Sequence, residues 1–249
     1  MRKKIVAGNW KMNFTPNQAA AFINENKENF ATTKAEVVLC VPYVSLQTAI
    51  DATRGTNIKI GAQNMHHEEK GAYTGEISIS MLKEIGAPYV IIGHSERRQY
   101  FNETDATVCT KTKLALANGL TPIWCVGETR EERESNKTAA VIEAQLAAVL
   151  KNLSAEEMQK VVIAYEPVWA IGTGLVATSA QAEEVCAQIR EEIAAAFSQN
   201  IADSVSILYG GSVTAESAQE LFAQPNIDGG LVGGASMQPS FAEVVKACE

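Results

Sequence analysis

Several features are scarce or missing in this sequence of 249 residues. No apolar run approaches the roughly 20 residues of a membrane-spanning helix. Only a few apolar residues follow Met1-Arg2-Lys3-Lys4 before Asn9, so no secretory signal is expected. Positive charge is in the minority, with 21 Lys and Arg against 29 Asp and Glu, a formal net charge of -8. Neither nucleic acid, which needs a basic face, nor a membrane is expected as a partner. The five cysteines, Cys40, Cys109, Cys125, Cys186 and Cys248, are odd in number and widely spaced, and no CxxC pair occurs. That argues against a disulfide framework or a zinc site and for reduced thiols in a cytoplasmic protein. The GxxxxGK[ST] phosphate loop is absent. Gly172, Gly174 and Ala177 have the spacing of a dinucleotide fingerprint, but Pro167–Ile171 separate them from the strand they should follow. His66-His67-Glu68-Glu69 has metal-capable atoms, yet neighbouring side chains on a loop are expected to point apart. No metal is expected there.

What is present is a rhythm. Continuous apolar, β-branched runs begin near residues 4, 36, 58, 89, 121, 160, 204 and 228. Continuous rather than alternating runs are those of strands covered on both faces. Helical patterns lie between them. Ile142, Leu146, Val149, Leu150 and Leu153 mark one face of 137–153, and Val185, Ile189, Ile193 and Phe197 mark one of 179–197. Thr15-Pro16-Asn17-Gln18, Ser154-Ala155-Glu156-Glu157 and Thr178-Ser179-Ala180-Gln181 each fit a capping box. Eight strands alternating with helices predict an α/β chain with a parallel sheet. At this length the expectation is one closed (β/α)8 barrel over residues 1–249, eight parallel strands with outer helices. The period alone also allows an open doubly wound sheet.

A barrel carries its chemistry where strands end. The first run ends in Asn9-Trp10-Lys11, the fourth in Gly93-His94-Ser95-Glu96 and the sixth in Glu166. The seventh ends in Gly210-Gly211-Ser212 and the eighth in Gly233-Gly234-Ala235. Taken singly, these are a solvated acid, a core histidine, a surface lysine and turn glycines. In a barrel they converge on one opening. Glycine turns leading into helices expose peptide N–H groups to an anion such as phosphate. A carboxylate partly desolvated by apolar neighbours has its pKa raised and becomes a useful base. A histidine at a helix start is pushed toward its neutral form and can donate to a carbonyl oxygen. A lysine adds charge for a developing oxyanion. Together they predict proton abstraction beside a carbonyl on a small sugar phosphate.

The motifs AGNWKMN (7–13), GAQNMH (61–66), GAYTGE (71–76), IIGHSERR (91–98), CVGE (125–128), AYEPVWAIGTG (164–174), YGGSV (209–213) and LVGGAS (231–236) occur in this order. Over nearly the whole chain the sequence closely resembles the triosephosphate isomerase family. The resemblance implies the TIM barrel and interconversion of dihydroxyacetone phosphate and glyceraldehyde 3-phosphate through a cis-enediolate, with no cofactor. It implies Glu166 as the proton shuttle, neutral His94 as the electrophile, and Lys11 and Asn9 as oxyanion stabilisers. The backbone at Gly172, Ser212, Gly233 and Gly234 would hold phosphate. Residues 167–177 would be a lid with Ile171 at its tip over the substrate. Glu96 would stand behind the site and Cys125 would pack beside it. Residues 64–78 would insert, through Tyr73 and Thr74, into the second subunit of a homodimer. Leu175, Ser179 and Met237-Gln238 depart from the family's usual lysine, proline and Leu-Lys, and none holds a chemical role. Another phosphosugar enzyme on the same fold, or a non-catalytic barrel scaffold, is the alternative.

Overall fold

Strands that are apolar on both faces need cover on both, and a ring of strands inside a ring of helices supplies it. The computed structural model, which describes residues 2–31 and 34–248, has this arrangement. The strands are β1 (Ile5–Asn9), β2 (Glu36–Val41), β3 (Lys59–Ala62), β4 (Tyr89–Ile92), β5 (Thr121–Val126), β6 (Val162–Tyr165), β7 (Ser206–Tyr209) and β8 (Gly229–Val232). All pair in parallel in chain order, and β8 returns to β1 with Ile5 opposite Gly229, closing the barrel. The open doubly wound alternative is thereby excluded.

Side chains alternate across each strand. Ile5, Val38, Tyr89, Ile91, Ile123, Val162, Leu208 and Leu231 belong to an inner cluster of strand residues. Their neighbours Val6, Val37, Leu39, Val90, Trp124 and Ile163 belong to the larger cluster shared with the helices. The helix Ser179–Ala196 buries Val185, Ile189 and Ile193, and Thr138–Leu150 buries Ile142, Leu146, Val149 and Leu150. Leu153 is also buried, three residues past that helix. Capping boxes close at Ser154 and Thr178. Thr15 exchanges the same pair of bonds with Gln18, its N–H donating to Gln18 Oε1 at 2.9 Å.

One position shows how closely the strand ends approach. A Cβ placed on Gly127, just after β5, would lie 1.8 Å from the carbonyl oxygen of Glu166, just after β6. Only glycine lets the two backbones meet there. Gln145 holds Gly127 from the other side, accepting from its N–H at 2.8 Å and donating to its carbonyl at 3.1 Å. No helix among the described residues is long and apolar enough to cross a membrane. All five cysteines are free thiols.

Candidate active site

The C-terminal strand ends surround a cavity of about 390 Å³. Asn9, Lys11, His94, Glu166, Ile171, Gly172, Ser212, Gly233 and Gly234 all line it. The residues predicted for base, electrophile, cation and phosphate grip therefore share one space.

Lys11 sits there in a left-handed conformation, φ 52, unfavourable for a side chain with a Cβ. Three bonds hold it. Its N–H donates to Asn9 Oδ1 at 3.0 Å, Gln63 Nε2 donates to its carbonyl at 2.8 Å, and its Nζ reaches Glu96 Oε1 at 2.6 Å. Glu96 thus stands behind Lys11 and does not line the cavity. Gln63, inside the GAQNMH motif, was not singled out from sequence.

His94 is the N-cap of the short helix Ser95–Phe101, and its Nδ1 accepts the Glu96 N–H at 3.2 Å. An accepting Nδ1 keeps a lone pair, so the proton of the neutral ring sits on Nε2. That nitrogen lies 2.8 Å from Glu166 Oε1. The other oxygen of Glu166 accepts from the Ser95 N–H at 2.9 Å. Cys125, in the barrel interior, touches the same carboxylate, and its thiol is raised well above its ordinary value, first by burial and then by Glu166.

This contact corrects one expectation. Burial alone would raise Glu166 and lower His94. In the pair, burial remains the largest influence on each, but the charge and hydrogen bond of the partner overcome it. Glu166 is held below the ordinary carboxylate value and His94 is raised. The Glu96 N–H on Nδ1 opposes protonation of the ring, so the arrangement is best described as neutral imidazole donating to carboxylate.

The four positions expected to hold phosphate are distinguished by what they lack. The backbone N–H groups of Gly172, Ser212, Gly233 and Gly234 find no acceptor among the described residues. Ser236 fixes the last turn, its N–H and hydroxyl both donating to the Gly233 carbonyl at 2.9 and 2.7 Å. Four free donors lining one space suit a phosphate dianion.

Over the cavity runs 167–177. Val168–Ala170 form a single 3-10 turn, and Gly172 and Gly174 take positive φ of 66 and 81. Trp169 anchors the turn, its Nε1 donating to Glu128 Oε1 at 2.8 Å with the Arg133 guanidinium 5.5 Å from its ring centre. Leu175 and Val176, at the far end, are 45% and 58% exposed. The flap is also bonded within itself: Thr173 Oγ1 donates to the Trp169 carbonyl at 2.6 Å.

Tyr73 and Thr74 lie away from this cavity. The rings of His66 and His67 stack at 4.3 Å, and Tyr73 packs on His66 at 4.2 Å. The expectation that the two histidines point apart is therefore wrong, because the Tyr73 ring gives His66 a face to stack on and His67 continues the pile. Among the described residues no group of three or more His, Cys, Asp or Glu side chains could hold a metal ion.

A sequence model of the family "Triosephosphate isomerase" matches residues 4–248. The triosephosphate isomerase of Acetivibrio thermocellus is 55% identical over 246 residues, 98% of both chains. That of Clostridium perfringens is 54% identical over 246 residues, 98% of this chain and 99% of its own. That of Alkaliphilus oremlandii is 53% identical over 238 residues, 96% of each. With the barrel closed, the motifs at its strand ends and this likeness along nearly its full length, the chain belongs to the triosephosphate isomerase family.

Proposed function

We propose that the chain interconverts dihydroxyacetone phosphate and glyceraldehyde 3-phosphate, as an isomerase of glycolysis and gluconeogenesis, with Glu166 as the proton carrier. One observation supports this above the rest: a buried carboxylate, an Nε2–H donor, an ammonium group and four unclaimed backbone N–H groups line the same 390 Å³ cavity. Phosphate bound at Gly172, Ser212, Gly233 and Gly234 would set the triose carbons between Glu166 and His94. His94 Nε2 cannot donate to a substrate carbonyl while it donates to Glu166, so binding has to separate them. The freed carboxylate removes the proton from C1 of the ketose. His94 Nε2–H and the Lys11 ammonium, with Asn9 beside them, stabilise the oxyanion of the enediolate. Glu166 returns a proton to C2 while the hydroxyl proton leaves O1 and one is supplied to O2, relayed between the two oxygens through His94 Nε2, and the aldose forms with its carbonyl at C1 and hydroxyl at C2. No electrons leave the substrate, so the step asks for no redox partner. Ile171 and its neighbours cover the reacting atoms, which keeps water from the enediolate.

Glu166→Gln tests the assignment. It keeps shape and hydrogen bonding but removes the proton acceptor, so kcat should collapse while binding of a phosphate-bearing analogue persists. A variant that still exchanges the C1 proton with solvent at the wild-type rate would remove Glu166 from this role.

We further propose a homodimer in the cytoplasm, paired through 64–78. Support comes from exposed apolar side chains: Met12 is 94% exposed, Val44 74% and Phe101 64%, with Tyr73 and Met81 also out. Such side chains on one molecule suit a partner surface. Sedimentation should give a dimer with Tyr73 protected, and an active monomer would overturn this.

A further inference from the structure

Glu166 is a lining residue of two cavities. Besides the substrate cavity there is a second of about 750 Å³, between the segments after β4 and β5 and the flap. Ser95, Gly127, Gln145 and Trp169 are among its walls, as are Gln99 and Glu131, both exposed, on the segments after β4 and β5 respectively. Glu166 and Ile171 line both cavities. The carboxylate has one partner in the lining of each cavity. Oε1 meets His94 Nε2 of the front wall at 2.8 Å, and Oε2 meets the N–H of Ser95, in the rear wall, at 2.9 Å.

We infer that the rear cavity is the route by which the proton held on Glu166, between its removal from one carbon and its delivery to the next, exchanges with solvent. The inference rests on Glu166 being the base. Substrate fills the front cavity, and the flap covers it, for as long as the carboxyl group carries that proton. The rear volume is far larger than the roughly 30 Å³ share of one water, and its walls include polar groups that can hold water. Ile171 is a common wall, so its motion over the substrate withdraws it from the rear space. Covering the front therefore widens the rear in the one state where exchange matters. The exchange itself is balanced. The carboxylic O–H bond breaks with its electron pair left on oxygen, the proton passes to a rear water as hydronium and leaves to bulk. A solvent proton then adds back to the carboxylate.

Exchange competes with delivery to C2, so it is read from label and not from turnover. Ketose substrate carrying deuterium at the C1 position that is abstracted is converted in ordinary water, and deuterium at C2 of the aldose is measured by mass spectrometry. Gln99→Trp and Glu131→Trp place indoles at the rear space from the segments after β4 and β5, singly and together, and neither residue belongs to the catalytic machinery. The retained fraction, a ratio of two first-order rates, should rise about threefold or more while kcat stays within about twofold. Retention equal to wild type in all three variants overturns the rear route. Glu166→Gln separates the two failures: continued loss of the C1 label there would remove the base itself, whereas no loss there with unchanged retention in the tryptophan variants removes the route alone.

Discussion

Gly127→Ala is a single methyl group aimed at the proposed base, Glu166, from outside the substrate cavity. Its Cβ would lie 1.8 Å from the Glu166 carbonyl oxygen and 2.6 Å from the carbonyl carbon, where ordinary contact begins at 3.4 Å. The two backbones must part by about 1.6 Å, the difference of those limits. Gly127 cannot give much, because Gln145 bonds both its N–H and its carbonyl. Most of the displacement falls on Glu166, whose N–H is tied to Val126 at 2.7 Å. A misplacement of about 1 Å costs about 10²-fold in rate, or roughly 2.7 kcal/mol of barrier. The expected loss in kcat is therefore about 10²- to 10³-fold, beside an overpacking cost in stability of about 1–3 kcal/mol. Gly210→Ala makes the graded comparison. Its Cβ would meet Glu166 Cγ at 2.9 Å and the Tyr165 carbonyl at 3.1 Å, an intrusion of about half an ångström, so about tenfold is expected. Initial rates with glyceraldehyde 3-phosphate, on samples whose folding is checked by urea titration, give both numbers. A folded Gly127→Ala protein with kcat within about threefold of wild type, or less impaired than Gly210→Ala, would show that the β5–β6 approach does not position the base.

Two further predictions follow from the flap and its anchor. Removing Ile171–Gly174 leaves Glu166 and His94 to form the enediolate but deletes the Gly172 donor and the cover; isomerisation should fall by orders of magnitude while phosphate is eliminated to give methylglyoxal. Product analysis showing enolisation without methylglyoxal would refute a protective flap. Glu128, fully buried with Oε2 unpartnered, has its pKa raised from 4.5 by burial, against the pull of Trp169, Tyr165 and Arg133. A raised carboxyl binds its proton more tightly folded than unfolded, so its contribution is full below the ordinary value and is lost as pH rises through the folded one. Glu128→Gln removes that slope: from about pH 4 to about pH 7 the Tm of the variant should gain on wild type, and a constant or reversed difference in thermal melts would contradict it.

The strands were legible because burial on both faces leaves an unbroken apolar signal. Their expected starts lie within two residues of those in the structure, from Ile5 to Gly229. Local chemistry was equally plain at Ser154 and Thr178, where cap and partner are three residues apart. The residues of the cavity could be named because a parallel barrel sends every strand end to one rim. What escaped depends on meetings between distant segments. Ser95 and Glu166 are 71 residues apart, Gln63 and Lys11 are 52 apart, and neither pairing has a signature in its own neighbourhood. The pKa directions of Glu166 and His94 were misjudged for the same reason: Glu166 was assessed by its apolar neighbours and His94 by its helix start, each without the other beside it. His66 and His67 likewise stack because of Tyr73, which no rule for adjacent residues includes.

The pairing of β8 with β1 has a consequence for how this molecule comes into being. Lys11 follows the first strand and Gly233 the last, and a Cβ on Gly233 would lie 3.7 Å from Lys11 Cε. The ammonium group and half of the proposed anion grip thus come from opposite ends of the barrel's circuit and are neighbours only when the circuit is complete. A chain still leaving the ribosome, with seven strands assembled and the eighth not yet made, would hold Glu166 and His94 but no finished grip. Contacts of such long sequence separation also form late, since their loop-closure entropy is the largest to overcome. In a refolding experiment, regained turnover would accordingly mark the last event, after helical content has returned.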